Sequence, residues 1–169
     1  MSETIKFEKV SFEQFRKSVL DNSYYFDEKE IREHYARIEL PQRATFGAAG
    51  YDFKLPFDIM MIKGEPLIIP TGIRAVMPYN MVLLLMPRSG LGFKHGLKLM
   101  NTVGVIDSDY ADSDNEGHIM TKITHTIGDY RIQLKQYDRF LQGIFTPYYT
   151  IENDSVSIAR NGGFGSTGE

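Results

Sequence analysis

The sequence contains no cysteine, which removes disulfide frameworks, thiolate metal sites and cysteine nucleophiles in one step. No apolar run approaches the roughly 20 residues that a membrane-spanning helix requires. The first residues, MSETIKFEKV, lack the apolar core of a secretory signal. The expectation is a soluble cytoplasmic protein. A basic face is missing too: net charge is -3 and Lys and Arg are spread along the chain, which argues against nucleic-acid binding. A small anion held by a few local arginines is compatible with that balance. His34, His95, His118 and His125 show no metal-ligand spacing and read as surface or packing residues. There is no GxSxG nucleophile elbow and no GxxxxGKS or GxxxxGKT phosphate loop, so two large hydrolase classes are excluded.

With 169 residues and 42% hydrophobic content, the chain is large enough for one domain with a real core. Residues 1–35 read as a helical extension. Ser11 with Gln14 fits a capping box, followed by Phe12, Phe15 and Val19 at helical spacing. Asp27 with Glu30 fits a second box before IREHYA. The apolar stripe reads as packing surface. Over residues 36–158 the pattern changes to short runs broken by Gly, Pro and Asn: ARIEL, YDFKL, PLIIP, GIRAVM, MVLLLM and GIFTPYYTI. Short strands at this spacing predict an all-β sandwich, barrel or jelly roll. Residues 159–169 are glycine-rich and, by composition alone, read as a frayed terminus.

Two segments could carry chemistry. PRSGLG (Pro87 to Gly92) follows MVLLLM directly, so a guanidinium, a hydroxyl and a permissive backbone meet at one strand end. Those groups suit a phosphate, although such a segment taken alone reads as a plain turn. In NTVGVIDSDY (Asn101 to Tyr110), Asp107 follows Gly104, Val105 and Ile106 and so sits at a strand end. A carboxylate fixed there can polarise a water; in isolation the segment reads equally as a turn joining two strands.

The order of the segments is more informative than any one of them. AAGYDF (Ala48 to Phe53), PRSGLG, NTVGVIDSDY, YDRFLQ (Tyr137 to Gln142) and RNGGFGSTGE resemble, in register, the five motifs of the trimeric dUTPase family. The resemblance runs from about Ala44 to the C-terminus. It implies a jelly-roll-like β-barrel, a homotrimer with sites shared between subunits, and dUTP as substrate. It further implies Mg²⁺ as cofactor, and a C-terminal tail that closes over the nucleotide as a lid. The implied chemistry is water attack on the α-phosphorus, giving dUMP and pyrophosphate.

By the same resemblance Asp107 is the general base. Asn101, Val105, Ile106 and Met120 surround uracil, together with backbone groups of a hairpin after Asp107. Tyr110 packs beneath the deoxyribose, where it excludes a 2′-hydroxyl. Arg88, Ser89, Gly90 and Gln142 bind the phosphate chain, and Asp52 lies near the water shell of the metal. In the tail, Phe164 stacks over uracil, with Arg160, Gly165, Ser166 and Thr167 around the γ-phosphate.

The sequence departs from the family pattern in three places. ADSDNE separates Tyr110 from Gly117, an acidic insert expected to bulge into solvent. The tail has Ala159 where the family's arginine usually lies, with Arg160 one residue later. The extension before Ala36 is no part of the family core. Two further readings follow. A dCTP deaminase-like enzyme would share the Arg-Ser turn, but Lys122 stands where it needs a glutamate. A phage-type, dUTP-gated regulatory protein with a protein partner would account for the insert and the extension.

Overall fold

The computed structural model describes residues 4–156. Their elements, in chain order, are β1 (Lys6–Lys9), α1 (Phe12–Asp21), α2 (Glu28–Ala36), β2 (Gln42–Arg43), β3 (Tyr51–Lys54), β4 (Ile59–Ile62), β5 (Leu67–Pro70), β6 (Ile73–Val76) and β7 (Met81–Pro87). There follow α3 (Ser89–His95), β8 (Lys98–Leu99), β9 (Gly104–Asp107), a 3₁₀ helix (Ser108–Asp112), β10 (Met120–Thr124), β11 (Arg131–Leu134) and β12 (Arg139–Pro147). The fold is all-β and jelly-roll-like, as the short apolar runs predict.

The two longest strands are β7 and β12, with seven and nine residues. β7 and β12 pair antiparallel from Leu141 opposite Pro87 to Pro147 opposite Met81. They form the centre of a five-stranded sheet ordered β2-β3-β12-β7-β9. Alternation sends Leu83 and Leu85 of β7 inward, because successive strand side chains point to opposite faces. There they join Phe53, Phe140 and Leu141 in the core. A three-stranded sheet (β5-β10-β8) and two ribbons (β1-β6 and β4-β11) complete the β framework.

The N-terminal stretch is more intimately built in than a row of short helices would be. Residues 6–9 form a strand paired with β6, with Phe7 opposite Ala75. The Phe7 ring packs edge-on against Tyr51 and Phe53. In α1, Phe15 and Val19 are fully buried, so the apolar stripe is packing surface as expected. The Asp27–Glu30 capping box forms in both directions. The Ser11 box forms only by half: the Gln14 amide donates to Ser11 Oγ at 3.1 Å, but the Gln14 side chain turns to Ser18. Glu116 of the acidic insert takes its place, accepting from the Ser11 amide at 2.7 Å.

The insert therefore does not bulge into solvent. Ala111 and Ser113 are buried, and the segment folds back so that Glu116 meets Ser11 at the start of α1. Behind it lies His118, fully buried. The Gly72 amide donates to His118 Nε2 at 2.8 Å. That leaves Nδ1 as the protonated nitrogen, 2.9 Å from Ser18 Oγ. Burial lowers the imidazole pKa to about 4 from 6.5, against the upward pull of Glu116. Partial burial acts to raise the Glu116 carboxyl, but the two Ser11 bonds outweigh it and hold the pKa below its ordinary value.

Both groups give stability the same pH dependence. Folding disfavours the imidazolium, so the contribution of His118 is complete above pH 6.5 and lost as pH falls toward about 4. The ionised Glu116 contributes above its ordinary value and less as pH falls through the lowered one. Denaturant titrations across this window should show a loss on the order of 2–3 kcal/mol. A His118→Gln variant should flatten most of that slope.

Candidate active site

The end of β7 is where the functional geometry begins. The Arg88 amide donates to the Phe140 carbonyl at 3.0 Å, which holds the residue after the strand against β12. The chain then enters α3 and leaves it through Gly96, whose φ is 60°. PRSGLG is thus a strand-to-helix junction rather than a turn between strands. Ser89 and Gly90, both exposed, occupy the first helical turn.

The Arg88 side chain reaches sideways to β3. Its Nη1 donates to Asp52 Oδ1 at 2.5 Å, and Arg139 Nη1 donates to Asp52 Oδ2 at 3.2 Å. Asp52 is only 5% exposed, whereas the two arginine side chains are 29% and 48% exposed. A buried carboxylate between two guanidiniums is compensated on both oxygens. The remaining N–H donors, on the exposed parts of the arginines, carry net positive charge to the surface. This end of the sheet suits an anion.

Gln142 lies opposite Asp52 on one side and Met86 on the other. A β-carbon on Gly50 would stand 2.9 Å from Gln142 Oε1, so the absence of a side chain there admits the glutamine. Segments AAGYDF, PRSGLG and YDRFLQ consequently converge within one chain. Reading the sequence singled out Asp52, Arg88, Ser89, Gly90 and Gln142 but passed over Arg139. The available signal was a cation immediately before Phe140 and Leu141 and three residues before Gln142, in a strand that pairs with the strand of Asp52.

Asp107 lies elsewhere. It ends β9 opposite Val82, at the beginning of β7, whereas Arg88 follows its last residue. Six residues of strand separate the two levels, roughly 20 Å at about 3.3 Å per residue. A cavity of about 490 Å³ beside Asp107 is lined by Tyr79, Val82, Leu84, Val105 and Tyr148. Val105 points outward, 56% exposed, and Ile106 inward.

Tyr110 lies in the 3₁₀ helix, buried, and its hydroxyl donates to the His118 carbonyl at 2.9 Å. Met120 opens β10. β9 pairs with β7, and β10 with β5 and β8, so these strands do not form the hairpin that the resemblance implies. The insert replaces a tight connection by a 3₁₀ helix and a turn. Asn101 is exposed after β8, in a tight bend where its carbonyl accepts from the Val103 amide at 2.7 Å. Arg160, Phe164, Gly165, Ser166 and Thr167 lie outside the described residues.

An all-β, jelly-roll-like fold that sets two arginines around a buried carboxylate at a strand-to-helix junction is an architecture suited to a phosphorylated ligand. Comparison with known proteins makes this specific. A family model for dUTPase matches residues 36–168. The deoxyuridine 5′-triphosphate nucleotidohydrolase of Lactococcus lactis subsp. lactis is 39% identical over 136 residues, covering 79% of this chain and 90% of that protein. Its counterpart in Dinoroseobacter shibae is 38% identical over 152 residues, covering 82% and 94%. The dUTPase structure from Streptococcus mutans superposes with a TM-score of 0.64 at 34% identity, covering 87% of this chain and 98% of that one. A mutant dUTPase from phage phi11 of S. aureus, described as coordinating a structural Mg(II) ion, shares the fold at 19% identity (TM-score 0.62; 92% and 98% covered). The chain belongs to the dUTPase family.

The Asp52 cluster generates a test of its own. Asp52→Ala would leave two guanidiniums facing each other without their shared carboxylate. Because both arginines are partly solvated, the expected loss is about 1–3 kcal/mol, measurable as a shift of the urea midpoint.

Proposed function

We infer that this chain hydrolyses dUTP to dUMP and pyrophosphate in a site assembled between copies of itself. The observation that carries this reading is the distribution of the motifs. Asp52, Arg88, Arg139 and Gln142 cluster at one end of β7, while Asp107 sits at the other. A water-activating carboxylate and a phosphate site roughly 20 Å apart along a strand cannot act on one triphosphate. A second copy can supply the missing half. The outer face of β7 and β9, with Val105 exposed and Val82 and Leu84 half-buried, offers an apolar surface for it. A closed homotrimer satisfies a head-to-tail arrangement of this kind.

In the assembled site, Arg88 neutralises the phosphate chain. Ser89 and Gly90, at the start of α3, present a hydroxyl and backbone amides, and Gln142 contacts the same chain. Phosphoryl chemistry asks mainly for such positioning and charge neutralisation. Asp107 accepts a proton from the water that attacks the α-phosphorus, and pyrophosphate leaves. Asn101, Val105, Ile106 and Met120 surround uracil, and Tyr110 packs beneath the sugar. The tail closes the site with Phe164 over the base and Arg160, Gly165, Ser166 and Thr167 at the γ-phosphate. Among the described residues no group of three or more His, Asp or Glu could hold a metal. This donor set fits Mg²⁺ bound through phosphate oxygens and waters rather than in a protein cage, with Asp52 beside its water shell. There the ion would supply further charge neutralisation. No helix among the described residues is long and apolar enough to cross a membrane, and a cytoplasmic location goes with the reading.

A panel of dUTP, dCTP, dTTP and UTP with product identification tests the activity. Pyrophosphate and dUMP should form from dUTP alone, and chelation of Mg²⁺ should suppress them; deoxyuridine nucleotides arising from dCTP would overturn the reading.

The shared site has a separate test in mixed trimers. Asp107→Asn and Arg88→Ala should each lower turnover by about 10²–10⁴-fold. Co-refolded together, they should regain activity, because some sites then combine an intact Asp107 with an intact Arg88 from another copy. No recovery would mean that both residues act within one chain.

A further inference from the structure

The N-terminal helix and the acidic insert meet in an ordered row of polar contacts. Ser11, Ser18 and Asn22 are spaced by seven and four residues, which places them on one side of a helix. Opposite them stand every second residue from Glu116 to Met120. The Ser11 amide and hydroxyl donate to the two Glu116 carboxylate oxygens at 2.7 and 2.6 Å. Ser18 Oγ lies 2.9 Å from His118 Nδ1. Asn22 Nδ2 approaches Met120 Sδ at 4.0 Å.

The same segment grips Tyr110. Asn115 Nδ2 donates to the Tyr110 hydroxyl at 2.9 Å, and that hydroxyl donates to the His118 carbonyl at 2.9 Å. Glu116 and Gly117 both have left-handed backbone, with φ of 59° and 71°. A β-carbon on Gly117 would stand 2.6 Å from Ala111 Cα and 2.8 Å from the Tyr110 carbonyl. The turn is therefore pressed onto the backbone of Tyr110. Glu116, a residue with a β-carbon in a conformation that disfavours one, is held there by its bonds to Ser11.

We propose that α1 and the insert form a lock, Ser11–Glu116 with Ser18–His118, that positions Tyr110 and Met120 and thereby determines selection of deoxyuridine over uridine nucleotides. This rests on the reading of Tyr110 as the residue beneath the sugar. Ser18 and Glu116 are positioning residues: they act through Tyr110 and His118. A displaced Tyr110 admits a 2′-hydroxyl, so the lock affects binding of the correct sugar more than the proton transfer at Asp107.

The test compares dUTP and UTP kinetics of the full chain with those of Ser18→Ala and Glu116→Ala. Each variant should raise KM for dUTP and lower the dUTP-to-UTP ratio of kcat/KM by about tenfold, with kcat for dUTP little changed. Ser18→Thr, which keeps the acceptor for His118, should restore the ratio. Unchanged selectivity and KM in a variant whose thermal midpoint has dropped would show that α1 only stabilises, and would overturn the proposal. If Glu116→Ala does not yield folded protein, Ser18→Ala carries the same comparison through loss of a single hydroxyl. Absence of dUTP hydrolysis in the unaltered chain would instead refute the activity itself, so the two failures are distinguishable.

Discussion

The antiparallel pairing of β7 with β12 is the constraint from which the functional geometry follows. These strands carry the longest ladder in the fold, and each has a second neighbour, β9 on one side and β3 on the other. The β3 side brings Asp52 opposite Gln142 and within reach of Arg88 at the strand's end. The β9 side runs antiparallel to β7, so its terminal Asp107 is carried back to Val82. One ladder thus builds the cluster of Arg88, Asp52 and Arg139 and simultaneously separates it from Asp107. The proposed activity therefore calls for association of copies, because one chain alone keeps the two groups apart.

At the anion site, electrostatics and packing reinforce each other. Asp52 has little contact with water, and a carboxylate in that position is costly unless both oxygens are satisfied. Arg88 and Arg139 satisfy them from different strands. Asp52 in turn fixes the direction of Arg88, whose long side chain would otherwise sample many rotamers. Preorganising the cation before substrate arrives reduces the entropy lost on binding. The close approach of Gln142 to Gly50 works in the same direction, since the glutamine is confined between β3 and β7 before any phosphate is present.

What the sequence made legible were features whose cause is local. MVLLLM and GIFTPYYTI carry enough apolar alternation to identify the strands that became β7 and β12. The Asp27–Glu30 box formed as written because both partners lie within one helical turn. Features with distant causes were hidden. KFEK gives little strand signal by itself, and becomes β1 because β6 offers an edge. The Ser11 box lost its second half to Glu116, 105 residues away. ADSDNE looks like a solvated loop by composition, yet Ala111 and Ser113 are buried and Glu116 reaches the start of α1. Arg139 went unread for the same reason: its significance depends on which strand pairs with its own. The motif order identified the family, but only strand register showed how far apart Asp107 and Arg88 stand.

The contact between α1 and the insert illustrates why a fold would use polar groups where apolar ones are cheaper to bury. Phe15 and Val19 hold the helix against the core, but hydrophobic contact has no direction and tolerates sliding or rotation of the helix. Hydrogen bonds at Ser11 and Ser18 do not, because a shift of one residue leaves the half-buried Glu116 and the fully buried imidazole of His118 without these partners. The neutral state of His118 is part of that arrangement. Protonation at Nε2 would oppose the Gly72 amide, so the ring must stay uncharged for both of its bonds to persist. The backbone carbonyl of that same residue receives the Tyr110 hydroxyl. A helix outside the β core is in this way connected, through one histidine, to the buried ring of Tyr110, the residue proposed to lie under the substrate's sugar.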